Sequence, residues 1–259
     1  MRSRRSPSRT ISSRNPDFGK RAARYDELRP VDEQWLEVVD ALVRLGDLRG
    51  RRVLDVGTGT GALATALAER YACKVWAVEP SPEMLEIARS RVPRGVGLRL
   101  GSAEALPFKD RWFERAAMRL VVHLLDRPRA FAELHRVLQP GGVLAIATFD
   151  PSHFAGFWLN RLFPSLEAID RARFPEPEPL QRELASAGFV GVRFERLSHV
   201  RELDRATALS RIRGRHISTF DLLSDDELAA GTERAARELP EHVEVRLEWL
   251  LAVADRPAG

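Results

Sequence analysis

The stretch Val53-Leu54-Asp55-Val56-Gly57-Thr58-Gly59-Thr60-Gly61 decides the fold of this chain of 259 residues. Short apolar residues lead to an acid, and three glycines follow at alternate positions. A helical apolar pattern starts directly afterwards, at Ala62, Leu63 and Leu67. Strand, glycine loop and helix in this order are typical of a nucleotide site at the carboxyl edge of a parallel sheet. Glycines there let a ligand approach the backbone, because no Cβ intervenes.

The loop alone does not identify the ligand. Its spacing Gly57-x-Gly59-x-x-Ala62 also fits the dinucleotide fingerprint, and a glycine-rich turn without a ligand is a third interpretation. Asp55 favours a cationic ligand, because a carboxylate beside the loop would repel a pyrophosphate. S-adenosylmethionine carries an ammonium and a sulfonium and has no phosphate.

These residues resemble the first motif of the class I S-adenosylmethionine-dependent methyltransferases, an acid followed by three alternating glycines. Four more motifs of that family follow in its order and spacing, so that the resemblance extends over residues 53–148. It implies S-adenosylmethionine as the cofactor. The first group of cofactor-binding residues that it implies is Asp55, Gly57, Thr58, Gly59 and Gly61.

A second motif ends in Glu79, which lies 18 residues after Gly61. An acid at about this distance from a glycine loop can accept hydrogen bonds from both ribose hydroxyls, and it would repel the 2′-phosphate of NADP. The alternative is a solvated acid at the end of a strand. Ser81 is predicted to cap the next helix, and the resemblance adds Pro80 and Met84 to the cofactor site.

The third and fourth motifs complete the predicted cofactor site. The segment 100–108 resembles the adenine-binding segment of the family, with Ser102 where an acid is usual; it implies Ser102, Ala103 and Glu104. The segment 113–126 resembles the fourth strand and its loop and adds Met118. The fifth motif, residues 138–146, resembles the turn into strand five.

His123 is the predicted catalytic residue. Methyl transfer is an in-line displacement in which orientation and exclusion of water contribute most. A general base is needed only when the acceptor atom starts protonated. His123 follows the fourth strand at the active edge, and His153 and His216 are alternatives. Arg119 is either an anchor for an anionic substrate or an exposed loop charge, and the second interpretation is slightly favoured.

Alternation of strands and helices predicts an α/β fold. The expected architecture is a doubly wound, Rossmann-like sheet of seven strands, mostly parallel with an antiparallel last strand, plus helical cap insertions. Strand six is predicted over 189–197 and strand seven over 243–254. The segment 18–30 resembles a lid of small-molecule methyltransferases, in which Tyr25 reaches the methionine end of the cofactor; an aromatic staple is the alternative.

The predicted organisation is a disordered basic tail at 1–14 and a methyltransferase domain at 15–259. Within it, 15–50 form the N-terminal lid and helix. Two segments, 150–175 and 198–242, exceed the minimal fold and are predicted to roof a substrate pocket, or else to decorate the surface.

Composition restricts the partners. The net charge of +4 arises from five arginines in the tail, and the rest has 36 basic against 37 acidic residues. The chain also lacks the Asn/Asp-Pro-Pro-Tyr/Phe motif of nucleic-acid amine methyltransferases after strand four, so a nucleic-acid substrate is disfavoured. Its one cysteine, Cys73, is expected in the core and favours a cytoplasmic location. Apolar runs are too short for a bilayer, and no metal-ligand spacing is visible.

The predicted function is transfer of a methyl group from S-adenosylmethionine to a small, partly hydrophobic metabolite at oxygen, nitrogen or carbon. The alternatives are a non-catalytic cofactor-binding protein or a protein methyltransferase, with an NAD-linked oxidoreductase less favoured. The sequence leaves the oligomeric state open.

Overall fold

In the computed structural model, residue 16 and residues 25–259 are described, and within them seven strands form one sheet. The strands are β1 (Arg52–Val56), β2 (Lys74–Glu79), β3 (Gly97–Leu100), β4 (Phe113–Arg119), β5 (Leu138–Phe149), β6 (Val190–Asp204) and β7 (His242–Asp255). Their order is β3-β2-β1-β4-β5-β7-β6. The first five strands pair in parallel, and β7 is antiparallel to both β5 and β6. The predicted doubly wound sheet with an antiparallel last strand is confirmed.

Helices cover both faces of the sheet. They are α1 (Tyr25–Leu28), α2 (Glu33–Leu45), α3 (Ala62–Tyr71), α4 (Pro82–Arg91), α5 (Arg127–Val137), α6 (Leu166–Arg173), α7 (Pro177–Ser186), α8 (Arg205–Arg213) and α9 (Asp225–Glu238). Ser81 starts α4 as predicted, since its hydroxyl accepts from the Met84 amide at 3.3 Å. Every helix in the described ranges is too short or too polar to cross a membrane.

The two faces of the sheet bury separate apolar clusters, because successive strand residues point to opposite sides. Val53 lies in the cluster covered by α2 and α3, whereas Leu54 lies in the cluster covered by α5 and α7. Cys73 precedes β2, is buried as predicted, and donates its thiol to the Leu48 carbonyl at 3.1 Å. The core thus fixes the carboxyl ends of β1, β2 and β4 at one edge.

Strand β6 is longer than predicted. The pairing of β5 with β7 ends at Phe149↔Trp249, but β6 and β7 continue from Ser198↔Glu248 to Asp204↔His242. The segment 198–204, expected in a helical insertion, is therefore strand. The polar side chains of 198–204 gave no strand pattern in the sequence. An edge strand can expose such side chains, because its backbone hydrogen bonds to the neighbouring strand stabilise it. The β6–β7 ribbon extends past the sheet and forms a wall above its carboxyl edge.

The segments 150–175 and 205–241 pack on each other as one cap. Phe163 and Phe220 meet edge to face, with ring centroids 5.0 Å apart, in a third apolar cluster. Ser224 opens the capping-box sequence Ser224-Asp225-Asp226-Glu227 and caps α9 by accepting from the Glu227 amide at 3.1 Å. The Glu227 carboxylate instead accepts from the Ser165 amide at 2.7 Å. Glu227, the last residue of the capping box, therefore links the segment 205–241 to the segment 150–175.

Candidate functional site

Three glycines shape the loop after β1, and all have positive φ angles, of +68°, +57° and +88° for Gly57, Gly59 and Gly61. A Cβ on Gly57 would lie 2.7 Å from Val121, and one on Gly61 would lie 2.7 Å from Val92. A Cβ on Gly59 would meet no described atom within 4 Å, and Gly59 lines a cavity. Gly57 and Gly61 are thus required by packing, whereas Gly59 faces space that a ligand can fill.

Glu79 holds this loop in place. Its two carboxylate oxygens accept from the Gly59 amide at 2.8 Å and from the Ser81 amide at 3.0 Å. The side chain is only 6% exposed, and burial raises its pKa. Glu79 therefore ties the end of β2 to the glycine loop, a contact that the sequence motif did not predict.

Asp55 is the second buried acid beside the loop. It is 1% exposed and accepts from the Thr58 hydroxyl at 2.6 Å. Burial raises the pKa of Asp55 to about 7, and the Glu79 carboxylate adds to the rise, while the Thr58 hydrogen bond opposes it. Two acids in this position favour a ligand that brings positive charge.

A cavity of about 170 Å³ extends from the glycine loop to the cap. Asp55, Gly57, Thr58 and Gly59 line one part of it. Aromatic side chains from α2, the sheet and the cap line much of the rest, namely Trp35, Phe149, Phe157, Trp158 and Trp249. Glycine loop and cap thus face one continuous space.

The N-terminal strap, residues 25–32, crosses this cavity. The Thr60 hydroxyl donates to Asp26 at 2.6 Å, and Arg91 also pairs with Asp26. At the other end, Arg29 Nε donates to the His216 carbonyl at 2.7 Å. The strap therefore connects the glycine loop with the cap. The Tyr25 side chain and residues 17–24 lie outside the described residues, so the predicted contact of Tyr25 stays a prediction.

Four arginines line the cavity, Arg29 from the strap together with Arg119, Arg201 and Arg211, and the position of Arg119 corrects an expectation. Arg119 is the last residue of β4, is half-buried, and its guanidinium lies over the rings of Trp35 and Trp249, at 5.2 Å and 4.9 Å. It is not the exposed loop charge that was favoured, because the two indoles cover it. Arg201 and Arg211 were missed, since both lie in the segment whose strand and helix boundaries the sequence did not define.

His123 lines a smaller, adjoining cavity of about 50 Å³. The two cavities share Leu120, Phe149 and His153 among their linings. The His123 ring stacks on Phe174 with centroids 4.0 Å apart, and its buried Nδ1 has no hydrogen-bond partner among the described residues. Burial, with Arg173 and Arg29 nearby, holds the pKa of His123 well below its usual value. The imidazole is therefore neutral.

The two alternative histidines are also neutral. His153 is 4% exposed, lines both cavities, and burial lowers its pKa to about 4. His216 lines the larger cavity with its Nδ1 3.1 Å from the Arg211 carbonyl, and burial with nearby Arg29 and Arg211 holds its pKa well below 6.5. Each of the three histidines thus lines at least one of the two adjoining cavities.

Like Gly61 and Glu79, the other six predicted cofactor residues lie outside the lining of the large cavity. Met84 and Met118 are buried in the core, and Pro80 is exposed after β2. Ser102, Ala103 and Glu104 follow β3, and the Glu104 carboxylate accepts from the Asp126 amide at 3.0 Å. Contacts of these six residues with a cofactor remain predictions.

Comparison with known families places this site in context. The profile of the family described as "Methyltransferase domain" matches residues 54–146. A demethylmenaquinone methyltransferase from Thermus thermophilus is 33% identical over 211 residues, which cover 70% of this chain and 94% of that protein.

Two further proteins show how far the likeness extends. An uncharacterized methyltransferase from Mycobacterium tuberculosis is 36% identical over 165 residues, or 62% of this chain; the chain thus spans 65% of the length of that relative. The solved structure of a phosphoethanolamine N-methyltransferase from Haemonchus contortus, in complex with S-adenosylhomocysteine, has a TM-score of 0.59 at 18% identity. The superposed region covers 92% of this chain and 57% of the Haemonchus contortus chain.

Proposed function

Because this chain belongs to the class I S-adenosylmethionine-dependent methyltransferases, we propose that it methylates a small, partly hydrophobic metabolite. The observation that carries this proposal is the single cavity that joins the glycine loop to an aromatic-lined cap. Apolar pockets with few polar groups are typical of small-molecule sites. The demethylmenaquinone methyltransferase that it resembles is named for a small-molecule acceptor of this kind.

The residues at the loop fit S-adenosylmethionine. Gly59 leaves open space where a ligand can approach the backbone, and Asp55 offers a carboxylate to an ammonium. Glu79 retains lone pairs for ribose hydroxyls beyond the two amides that it already accepts from. When bound, the cofactor supplies an activated methyl group on a sulfonium.

The chain itself contributes orientation, exclusion of water and a proton acceptor. The strap and the cap cover the cavity from two sides, so an acceptor inside it is shielded from solvent. We propose that neutral His123 takes the proton of an acceptor hydroxyl or acid at its unpartnered Nδ1. We also propose one methyltransferase domain over residues 15–259 and a cytoplasmic location, since Cys73 is a buried free thiol.

The function is tested by a metabolite screen with methyl-labelled S-adenosylmethionine, together with calorimetry against S-adenosylhomocysteine and NAD. We expect S-adenosylhomocysteine to bind, NAD not to bind, and label to reach a small molecule. Binding of NAD alone would indicate an oxidoreductase. Label transferred mainly to protein or nucleic acid would contradict a small-molecule acceptor.

Cofactor affinity should depend on pH through Asp55. The pKa of about 7 means that the carboxylate is mostly protonated at pH 6 and mostly ionised at pH 8. The ammonium of S-adenosylhomocysteine prefers the ionised form, so affinity is full above this pKa and is lost as pH falls through it. We expect S-adenosylhomocysteine to bind about tenfold more weakly at pH 6 than at pH 8. Calorimetry of Asp55→Asn should give weaker binding with a flat profile, and a variant that keeps the parent's slope would contradict this role.

His123→Ala should reduce turnover of a labelled acceptor by about 10²–10⁴-fold, the range expected for loss of a general base. Its affinity for S-adenosylhomocysteine should stay within twofold of the parent's, roughly the limit of the measurement. His242→Ala is the matched control, because His242 is exposed and pairs with Glu202 outside the cavities. If His153→Ala loses turnover while His123→Ala does not, the base is His153; if neither loses turnover, orientation alone supports the reaction.

A further inference from the structure

Arg211, a cation of the cap, lines the cavity and forms no ion pair within residues 25–259. Arg211 lies on the same face of α8 as Ala208 and Ile212, where an apolar residue would be ordinary. It is 8% exposed, and its guanidinium has no hydrogen-bond or ion-pair partner in the part of the chain that the structure describes. A buried arginine is normally paired, because an isolated buried charge costs free energy.

The acids near Arg211 are already engaged. Asp32 accepts from the Trp35 amide at 2.8 Å and pairs with Arg201 at 3.0 Å, while Asp204 caps α8 through the Thr207 amide at 2.7 Å. Burial, with Arg201 and Arg29 nearby, lowers the pKa of Arg211 to about 10, although Asp32 and Asp204 oppose the shift. Arg211 is therefore still charged at neutral pH, in a region with excess positive charge.

Arg201 strengthens this region as a place for an anion. It lies on β6 beside Arg211, lines the same cavity, and its buried Nε has no partner among the described residues. The lining of this cavity is mixed: it includes the rings of Phe157, Trp158 and Trp249 as well as polar side chains such as Gln34 and His199. The cavity thus offers guanidinium donors for an anion next to rings for an apolar body.

We infer that the methyl acceptor carries a carboxylate, which Arg211 binds with Arg201 beside it, while the apolar part of the acceptor packs against the aromatic rings. The guanidinium fork matches two carboxylate oxygens. This inference rests on the proposed function, because it specifies the acceptor of the same site. The carboxylate is an anchor, and the methyl group goes to another nucleophilic atom, since the anchoring oxygens are engaged.

The methionine end of the cofactor also carries a carboxylate and is a second candidate ligand of Arg211. The position of Arg211 in the cap favours the carboxylate of the acceptor instead. Helix α8 packs mainly on α9, β6 and β7. Arg211 also lies outside residues 54–146, to which the family profile is restricted. The two sources of the anion are separated by measuring both ligands on the same variant.

The test uses three matched pairs of acid and primary amide: 3-phenylpropanoate, indole-3-acetate and octanoate with their amides. Calorimetry is done on the full chain with and without saturating S-adenosylhomocysteine. For at least one pair, we expect the parent to bind the acid about tenfold or more tightly than the amide. Arg211→Met should remove this preference. Arg213→Met should retain it, because Arg213 is exposed on the same helix.

Acids that bind the parent no better than amides, or a preference that survives Arg211→Met, would overturn the inference. So would a loss of S-adenosylhomocysteine affinity in Arg211→Met, which would assign the guanidinium to the cofactor. If the parent does not bind S-adenosylhomocysteine, that result contradicts the proposed function and not this inference. The acids and amides measured without S-adenosylhomocysteine would still show whether Arg211 binds a carboxylate.

Thermal unfolding distinguishes a ligand anchor from a structural arginine. Without ligand, removal of an unpaired buried charge should raise the unfolding midpoint of Arg211→Met above that of the parent. A lower midpoint would show that Arg211 stabilises the fold and would contradict its assignment to the acceptor.

Discussion

Gly59→Val is expected to abolish cofactor binding while the protein stays folded. No described atom lies within 4 Å of a Cβ at Gly59, so the valine side chain would project into the cavity and not into the protein. It would occupy the space through which a ligand reaches the loop. We expect the dissociation constant of S-adenosylhomocysteine, measured by calorimetry, to rise by more than about a hundredfold.

Backbone strain is the competing explanation, since valine is disfavoured at the φ of +57° found at Gly59. Gly50→Val is the matched control, because Gly50 has a φ of +73°, is exposed, and has an equally open Cβ position. Both variants should lose similar stability, on the order of 1–3 kcal/mol. Only Gly59→Val should lose the ligand; equal affinity in the two variants would place the cofactor elsewhere.

Glu79→Ala should raise the same dissociation constant by roughly tenfold to several hundredfold. Each hydrogen bond to a charged group contributes about 1.5–3 kcal/mol, and the variant loses the predicted ribose contacts. It also leaves the Gly59 and Ser81 amides without the acceptor that positions the loop. Glu86→Ala, an exposed change on α4, should bind like the parent.

The two roles of Glu79 can be separated with ligands. Loss of loop order should weaken S-adenosylhomocysteine and adenosine-free fragments such as methionine alike. Loss of a ribose contact should weaken only ligands that contain the sugar. A dissociation constant unchanged in Glu79→Ala would contradict both roles.

Much of the sheet could be predicted because its signals are local. The apolar run into Asp55, the alternating glycines and the acid at Glu79 each follow from strand, loop and strand end within one βαβ unit. Capping at Ser81 and Ser224 also depends only on neighbouring residues. The type of sheet and the starts of these helices could therefore be predicted from the sequence.

The part of the site formed by the cap and the β6–β7 ribbon depends on contacts between residues that are distant in the sequence. The last part of β6 is strand because β7 pairs with it, and its own side chains carry no clear alternation. Arg119 became part of the cavity through Trp35 and Trp249, which lie 84 and 130 residues from it in the sequence. Arg211 had a weak local signal, a charged residue on the apolar face of α8, which gains meaning only once the cavity is known.

The N-terminal strap has a consequence for the catalytic cycle. It is bonded to the glycine loop through Asp26 and Thr60 and to the cap through Arg29 and His216. The same few strap residues thus cover both the part of the cavity at the glycine loop and the part at the cap. Breaking either hydrogen bond, at Asp26 or at Arg29, would loosen the strap over both parts. We therefore expect exchange of spent cofactor and departure of the methylated product to share one opening step, because the same strap contacts both the glycine loop and the cap.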